Sequence, residues 1–198
     1  MKKFRGTYRV HSTRLQNWDY SWNGRYFITI NTAYREYFFG QVSNQIMQLS
    51  SIGELAHRFW HEIPDHFPHV YLDAYVVMPN HIHGIVILDN PYDNKWDYSD
   101  QSEDEKNGKD QNNFTDTLSS SLTPGQKRFQ NQGQNTISSI IGSYKSVVTR
   151  NARKINQDFG WQNRFWDHII RDKKSYQRIR RYIINNPKNW KRDCFFDD

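Results

Sequence analysis

Apolar and polar residues follow patterns along this chain that predict distinct secondary-structure elements. Aromatic and β-branched residues dominate 25–32, and two more apolar runs, at 69–78 and 81–88, are separated by a Pro-Asn turn pair. These runs predict three strands, of which the last two fold against each other as a hairpin. The end of a short aromatic segment at 164–171 predicts a fourth strand.

Apolar positions recur at helical spacing in three other stretches. The first runs from Ile46 to Phe67, the second begins at Thr136, and the third extends from about Lys173 to Asn186, where Pro187 stops it. The predicted order of elements is therefore β-α-β-β-α-β-α.

This order is that of the split βαβ arrangement with one helix added at its end. It predicts an α+β, ferredoxin-like fold: an antiparallel sheet with helices on one face, plus an appended C-terminal helix. We expect a single domain over residues 1–198, with a basic N-terminal arm at 1–24 and a flexible polar and acidic insertion at 91–135.

Charge and aromatic content point to a class of partner. The chain has 27 Lys and Arg against 21 Asp and Glu, for a net charge of +6. Residues 91–118 hold eight acidic side chains and three lysines, so the rest of the chain is more basic than the total. A basic chain with 12 Tyr, 12 Phe and 7 Trp fits a nucleic-acid partner, although composition alone is also compatible with a merely soluble basic protein.

Several classes of protein are disfavoured by what the sequence lacks. Cys194 is the single cysteine, so neither an intramolecular disulfide nor a cysteine-based zinc site is expected. There is no run of 18 apolar residues, and the first residues do not have the apolar core of a signal peptide. We expect a soluble, cytoplasmic protein that has no membrane partner.

The strongest chemical signal is the pair His81 and His83 at the start of the strand 81–88. Residues at i and i+2 on a strand face the same way, so the two imidazoles lie close together. Each neutral imidazole offers one lone pair, which suits a divalent cation. The alternative is two ordinary strand histidines.

The last predicted helix supplies possible partners for this pair. Tyr182 and Asn186 are four residues apart and share a helical face, and the Asn186 carbonyl oxygen is a possible metal ligand. Residues 171–192 contain nine Lys and Arg and a single Asp, a composition typical of a phosphate-binding surface. The alternative is that Tyr182 is a half-buried core residue and Asn186 caps the helix.

Four segments in this order resemble a known family. They are 25–32, Tyr75 to Gly84, 164–171, and 182–187, which reads Tyr-Ile-Ile-Asn-Asn-Pro. His-Ile-His after an apolar strand, with a tyrosine on a late helix, resembles the HUH single-tyrosine transposases of small insertion sequences. The chain is most similar to their domesticated relatives, the REP-associated tyrosine transposases.

The resemblance implies an activity and a role for each matching residue. It implies cleavage and rejoining of single-stranded, hairpin-containing DNA through a 5′-phosphotyrosine intermediate, with Tyr182 as the nucleophile. His81 and His83 match the metal-binding pair for Mg²⁺ or Mn²⁺, and Asn186 stands where relatives carry a glutamine ligand. The protein would act as a monomer or a homodimer. The resemblance also implies a prokaryotic protein that associates with the nucleoid when bound to DNA. The expected DNA-binding residues are Lys173, Lys174, Arg178, Arg181 and Lys188.

Other interpretations remain open at this stage. The same fold could be a non-catalytic protein that binds single-stranded nucleic acid. A small metallohydrolase is disfavoured because no third histidine or carboxylate stands at ligand spacing. Tyr144 is a rival nucleophile, but it lies in the apolar stripe of its helix and is expected in the core. His168 has no predicted chemical role and is interpreted as a structural residue at a strand end.

Overall fold

The computed structural model describes residues 18–91 and 135–196, together with the backbone of 3–4 and 7–8. Short 3₁₀ helices span Ala33–Arg35 and Pro187–Arg192. The strands are β1 Lys3–Phe4, β2 Thr7–Tyr8, β3 Gly24–Asn31, β4 Gly40–Ser43, β5 Ile46–Leu49, β6 Val70–Met78, β7 His81–Leu88 and β8 Trp166–Ile170; the helices are α1 Ser51–His61, α2 Ile63–His66, α3 Ile137–Ala152 and α4 Lys173–Asn185.

Four strands form the central antiparallel sheet in the order β6-β7-β3-β8. β3 and β7 lie in the middle, and β6 and β8 form the two edges. With β3, β6, β7 and β8 counted as the four strands of the split βαβ unit, this is the strand order of the ferredoxin-like fold. The predicted α+β class and antiparallel sheet are therefore confirmed.

One face of the sheet is closed by α1 and α3. Trp60 of α1 is fully buried against β7, where Gly84 gives the indole room: a Cβ atom on Gly84 would lie 2.3 Å from the Trp60 ring. Tyr144 of α3 is buried too, and its hydroxyl donates a hydrogen bond of 2.9 Å to the Ala56 carbonyl of α1. The prediction that Tyr144 belongs to the core is confirmed.

α4 packs on the opposite face of the sheet. Its buried residues Ile179 and Ile183 form a small apolar cluster with Phe27, Ile85 and Ile170. The helix begins at Lys173, as predicted, because the Asp172 carboxylate accepts a hydrogen bond from the Ser175 backbone N–H. It ends at Asn185, immediately before the predicted boundary.

The predicted start of the first helix at Ile46 is wrong. Residues 46–49 form β5, which pairs with β4 across a turn in which Asn44 and Gln45 have positive φ angles of 52° and 63°. The helix begins at Ser51 because the Ser50 hydroxyl accepts a hydrogen bond from the Gly53 N–H. The apolar spacing of 46, 49 and 52 matches a helix and also fits a hairpin that runs into one.

The predicted arm and insertion are only partly described. β1 and β2 pair with each other within 1–24, and at the end of this segment Tyr20 is buried and its carbonyl accepts a hydrogen bond from the Ile137 N–H. Almost all of the predicted insertion at 91–135 lies outside the described residues. No helix in the described part of the chain is long and apolar enough to cross a membrane.

Candidate metal and tyrosine site

His81 and His83 lie on the face of the sheet that carries α4, at the start of β7. Their ring centroids are 4.4 Å apart and both side chains are buried. In the register, His81 pairs with Asn31 and His83 with Thr29 of β3. The sheet therefore brings the two imidazoles together as the sequence predicted.

Neighbouring side chains determine which nitrogen of His81 carries the proton. The Asn80 amide nitrogen donates to the Phe195 carbonyl at 2.7 Å, so the Asn80 Oδ1 atom is the acceptor for His81 Nδ1 at 2.8 Å. A proton on Nδ1 leaves a lone pair on Nε2. That Nε2 atom is buried and has no hydrogen-bond partner among the described residues.

His83 is held between β3 and α4. Its Nδ1 atom lies 2.8 Å from the Thr29 hydroxyl, and its Nε2 atom lies 3.1 Å from the Tyr182 hydroxyl. Burial lowers the pKa of His81 well below its ordinary value and lowers the pKa of His83 to about 4. Both imidazoles are neutral at physiological pH, which is the state that binds metals.

Tyr182 and Asn186 of the last helix reach the same place. The Tyr182 side chain is 43% exposed, so it is not a core residue, and its phenol is accessible beside His83. Asn186 directly follows α4 at the helix cap, as the alternative interpretation proposed, yet its side chain is buried. Its Oδ1 atom has no partner in the part of the chain that the structure describes.

Asp193 is a member of this site that sequence reasoning missed. Its carboxylate accepts a hydrogen bond of 2.8 Å from the Asn186 amide and lies 3.3 Å from the Tyr182 hydroxyl. Ligand atoms of His81, His83 and Asp193 all lie within 4.8 Å of one another. Sequence spacing indicated no third histidine or carboxylate, and the fold supplies one in Asp193. Asp193 is brought back by the 3₁₀ helix that follows Pro187, and no spacing rule in the sequence indicates that return.

The environment of Tyr182 opposes ionisation of its phenol. Burial raises the pKa of Tyr182 above its ordinary value, and the negative charge of Asp193 raises it further. In the absence of a cation the phenol keeps its proton and donates to Asp193 Oδ2 at 3.3 Å, with His83 Nε2 3.1 Å from the same oxygen.

The predicted basic residues separate into two groups. Arg178 and Arg181 line an open pocket with Tyr182, Asn185 and Asn189, next to the phenol. Lys173 and Lys174 lie in the first turn of α4, at the far end of the helix from Tyr182, about 14 Å away at 1.5 Å per residue. Lys188 is exposed on the 3₁₀ helix.

The donor set at this site fits a divalent cation. Two neutral imidazoles and one carboxylate converge, and the Asn186 amide nitrogen contacts that carboxylate. The lone pairs on His81 Nε2 and Asn186 Oδ1 are buried without partners among the described residues. A buried polar atom without a partner costs stability, about 1–3 kcal/mol, so such atoms in a group of metal-ligating side chains indicate a missing ligand. Imidazole with hard oxygen donors suits a first-row divalent ion.

Comparison with known proteins identifies relatives of this chain. It is 37% identical over 194 residues to an uncharacterized protein of Haemophilus influenzae, and the match covers 98% of this chain and 96% of that protein. This chain belongs to the same family as that protein. No protein-family model matches the present chain.

Solved structures show the same fold. A REP-associated tyrosine transposase bound to a REP hairpin matches 96% of this chain and 74% of its own, with a TM-score of 0.51 and 19% identity. A candidate transposase from Deinococcus radiodurans covers 93% of this chain and 97% of its own at 14% identity, but its TM-score of 0.43 is too low to carry an argument. The resemblance to REP-associated tyrosine transposases is confirmed for the fold.

Proposed function

We propose that this chain is a metal-dependent tyrosine transposase of the REP-associated type, which cleaves and rejoins single-stranded DNA beside a hairpin through a 5′-phosphotyrosine intermediate. The observation that carries the proposal is the position of the Tyr182 hydroxyl, 3.1 Å from His83 Nε2. The same site includes His81 and Asn186, whose lone-pair atoms Nε2 and Oδ1 are buried without partners among the described residues. The similarity of fold to a transposase that is bound to a REP hairpin supports the choice of substrate.

His81, His83 and Asn186 are the residues that would hold Mg²⁺ or Mn²⁺, with Asp193 as a further candidate ligand. When bound, such a cation supplies Lewis-acid stabilisation of the negative charge that develops on the scissile phosphate. Thr29 and Asn80 hold the two imidazoles from behind through their Nδ1 atoms. His83 Nε2 therefore remains available beside Tyr182, and His81 Nε2 remains without a partner among the described residues.

The reaction is a transesterification in which the number of phosphate ester bonds is unchanged. The Tyr182 oxygen attacks phosphorus, the bond from phosphorus to the 3′ oxygen breaks, and the 3′ oxygen leaves as a hydroxyl after taking up a proton. The Asp193 carboxylate, 3.3 Å from the phenol, is placed to accept the proton that Tyr182 loses. Because the tyrosine ester conserves the bond energy, a 3′ hydroxyl can reverse the step and rejoin a strand.

The basic residues give the DNA backbone a path to the phenol. Arg178 and Arg181 flank Tyr182 in the open pocket and are placed to contact phosphates next to the cleaved one. Lys173, Lys174 and Lys188 are exposed farther along the same segment and would contact the more distant backbone. Substitution of these lysines should weaken binding without regard to sequence and reduce its salt dependence.

The test is covalent capture of DNA. The protein is incubated with Mn²⁺ and labelled hairpin oligonucleotides drawn from the DNA that flanks its own gene, and the products are separated on a denaturing gel. We expect a protein–DNA adduct with the wild type and none with Tyr182→Phe, which keeps its DNA affinity. Tyr71→Phe, at an exposed tyrosine on the opposite edge strand, is the matched control and should form the adduct normally.

An adduct formed by Tyr182→Phe would refute Tyr182 as the nucleophile. An adduct formed by the wild type in excess chelator would refute the requirement for a metal ion. DNA binding without any adduct, across all hairpins tried, would instead support the non-catalytic binding protein.

A second candidate function is favoured by Asp193. His81, His83 and this carboxylate resemble the three-ligand sets of metal-dependent phosphodiesterases, in which the attacking group is water. Such an enzyme would release a free 5′-phosphate, would form no adduct and would keep its activity in Tyr182→Phe. The same gel therefore separates the two functions.

A further inference from the structure

α4 leaves part of the sheet face that carries the site uncovered. The helix lies mainly over β6 and β7, where Tyr176 donates a hydrogen bond to Asp73 and Arg180 forms an ion pair with the same carboxylate at 3.3 Å. β8 is at the other edge of the sheet. Its Ile170 is buried against Ile179 and Ile183 of α4, whereas Trp166 and His168, earlier on the same face of the strand, are exposed.

The register places these two rings beside the site. Trp166 pairs with Thr29 and His168 with Phe27, so both point to the same face as His83. The two rings are parallel to within 5°, and their centroids are 5.9 Å apart. Trp166 is 46% exposed.

Phe27 connects this ring pair to the nucleophile. Its ring packs edge to face on Trp166, with centroids 5.5 Å apart, and on Tyr182, with centroids 6.2 Å apart. It also lies 5.3 Å from the ring of His83. Trp166 is thus two ring contacts away from the phenol, on the same surface.

The charge around the ring pair suits a nucleic-acid strand. Arg164 precedes β8 and its side chain is exposed, whereas the Arg171 guanidinium after the strand lies 5.9 Å from the Trp18 ring. Single exposed aromatic residues are common on protein surfaces and need no ligand. Here the two rings are parallel, follow an exposed arginine in the chain and adjoin a tyrosine for which phosphoryl chemistry is proposed. A π-face with adjacent cations is the general means of holding an unpaired base and its phosphates.

We infer that Trp166 and His168 form a stacking platform for an unpaired DNA base adjacent to the scissile phosphate, with Arg164 contacting the flanking backbone. This inference rests on the proposed function, since it takes single-stranded DNA as the ligand. The platform fixes the strand relative to the Tyr182 hydroxyl. It also gives a role to His168, for which the sequence suggested only a structural one.

The experiment measures stacking at single positions. The probe is a DNA hairpin with a single-stranded oligo(dA) tail on either side, in which 2-aminopurine replaces one adenine at a time. Fluorescence of 2-aminopurine is quenched when the base stacks on an aromatic ring. All proteins carry Tyr182→Phe, so that cleavage does not interfere and binding is measured at equilibrium.

We expect strong quenching at one or two adjacent tail positions, which is lost in Trp166→Ala together with about a 5- to 150-fold loss of affinity, the range that a stacked base contributes. Trp166→Phe should restore most of both, and His168→Ala should have a smaller effect of the same kind. Tyr71→Ala, an exposed aromatic residue on the opposite edge strand, is the matched control and should change neither.

Equal affinity and equal quenching for Trp166→Ala and for the Tyr182→Phe protein that carries no other change would overturn the inference. A loss of affinity and quenching in Tyr71→Ala as large as that in Trp166→Ala would also overturn it. Both outcomes are independent of adduct formation, which is scored separately with Tyr182 intact. A wild type that forms the adduct while Trp166→Ala shows no binding defect would refute the platform alone. Quenching at Trp166 without any adduct would refute the proposed chemistry alone.

Discussion

The two faces of the central sheet differ in what they bury. The face covered by α1 and α3 buries mainly large apolar side chains, and one of its buried tyrosines, Tyr144, has its hydroxyl satisfied by a backbone carbonyl. The Trp60 indole N–H on this face has no partner among the described residues. The face covered by α4 has only a small apolar cluster. It also buries His81 and Asn186, and each of these has a lone-pair atom, Nε2 and Oδ1 respectively, without a partner among the described residues. The face under α1 and α3 therefore mainly stabilises the fold, whereas the face under α4 is less stabilising because it holds the polar groups of the site.

The same comparison distinguishes the two tyrosines that sequence reasoning considered as nucleophiles. Tyr144 is 2% exposed and Tyr182 is 43% exposed. Burial raises the pKa of both phenols. Only Tyr182 adjoins groups able to bind a cation or accept its proton, so exposure and neighbours, not intrinsic acidity, separate a core tyrosine from a candidate nucleophile.

The largest effect should come from the closed face. Trp60→Ala removes a fully buried indole that fills the space over Gly84, and we expect it to lower the free energy of unfolding by about 3–5 kcal/mol. Tyr182→Phe, on the open face, should change it by less than about 1 kcal/mol. Denaturant titration of both variants measures these changes. Equal losses of unfolding free energy would show that the two faces contribute alike to stability.

Acidification should act mainly through the open face. Burial holds the pKa of His83 at about 4, below the ordinary 6.5 of an unfolded chain, so the unfolded state binds more protons between these values. In chelator, stability should therefore fall as the pH is lowered from about 6.5 to about 4, with up to about 3 kcal/mol lost through His83. His83→Gln should reduce the slope of this part of the profile, and the slope that remains comes from His81, whose pKa burial also lowers. An unchanged slope in that variant would contradict the assignment.

Loss of the support behind His83 should have an intermediate effect. Thr29→Val replaces the buried hydroxyl, 2.8 Å from His83 Nδ1, with a methyl group of similar shape. We expect about a 10- to 100-fold loss of Mn²⁺ affinity, with cleavage recovered at saturating Mn²⁺. Thr149→Val on α3, remote from the site, is the control. Unaltered affinity in Thr29→Val would show that this hydroxyl does not orient the imidazole.

The smallest effect should come from the start of α1. Ser50→Ala removes the hydroxyl that caps the Gly53 N–H and should cost about 1 kcal/mol in stability without affecting cleavage. Ser51→Ala, one residue inside the helix, is the matched control and should cost less. Equal costs would contradict a helix that begins at 51.

The sequence predicted the parts of the molecule that depend on local patterns. The strands at 69–78 and 81–88, the helix from Lys173 and the common face of His81 and His83 all follow from residue spacing. The β4–β5 hairpin was missed because Ile46, Leu49 and Ile52 fit helical spacing, and because positive φ angles at Asn44 and Gln45 are not encoded by glycine.

The site was predictable only where its residues lie on regular elements. His81, His83, Tyr182 and Asn186 have spacing that can be recognised on a strand and a helix. Asp193 lies beyond a 3₁₀ helix, and its approach to the histidines depends on how the chain turns after Pro187. Trp166 and His168 lie on one face of a strand, but their exposure beside the site depends on which part of the sheet α4 covers. Residue spacing does not determine that packing.

The proposed chemistry requires the buried lone pairs on the α4 face to bind a cation beside Tyr182. Electron paramagnetic resonance of Mn²⁺ titrated into the protein tests this directly. We expect one bound Mn²⁺ per chain in the wild type and in Tyr182→Phe, and at least about a 100-fold weaker affinity in His81→Ala. Equal binding by the wild type and His81→Ala, or no specific binding by the wild type, would contradict the claim.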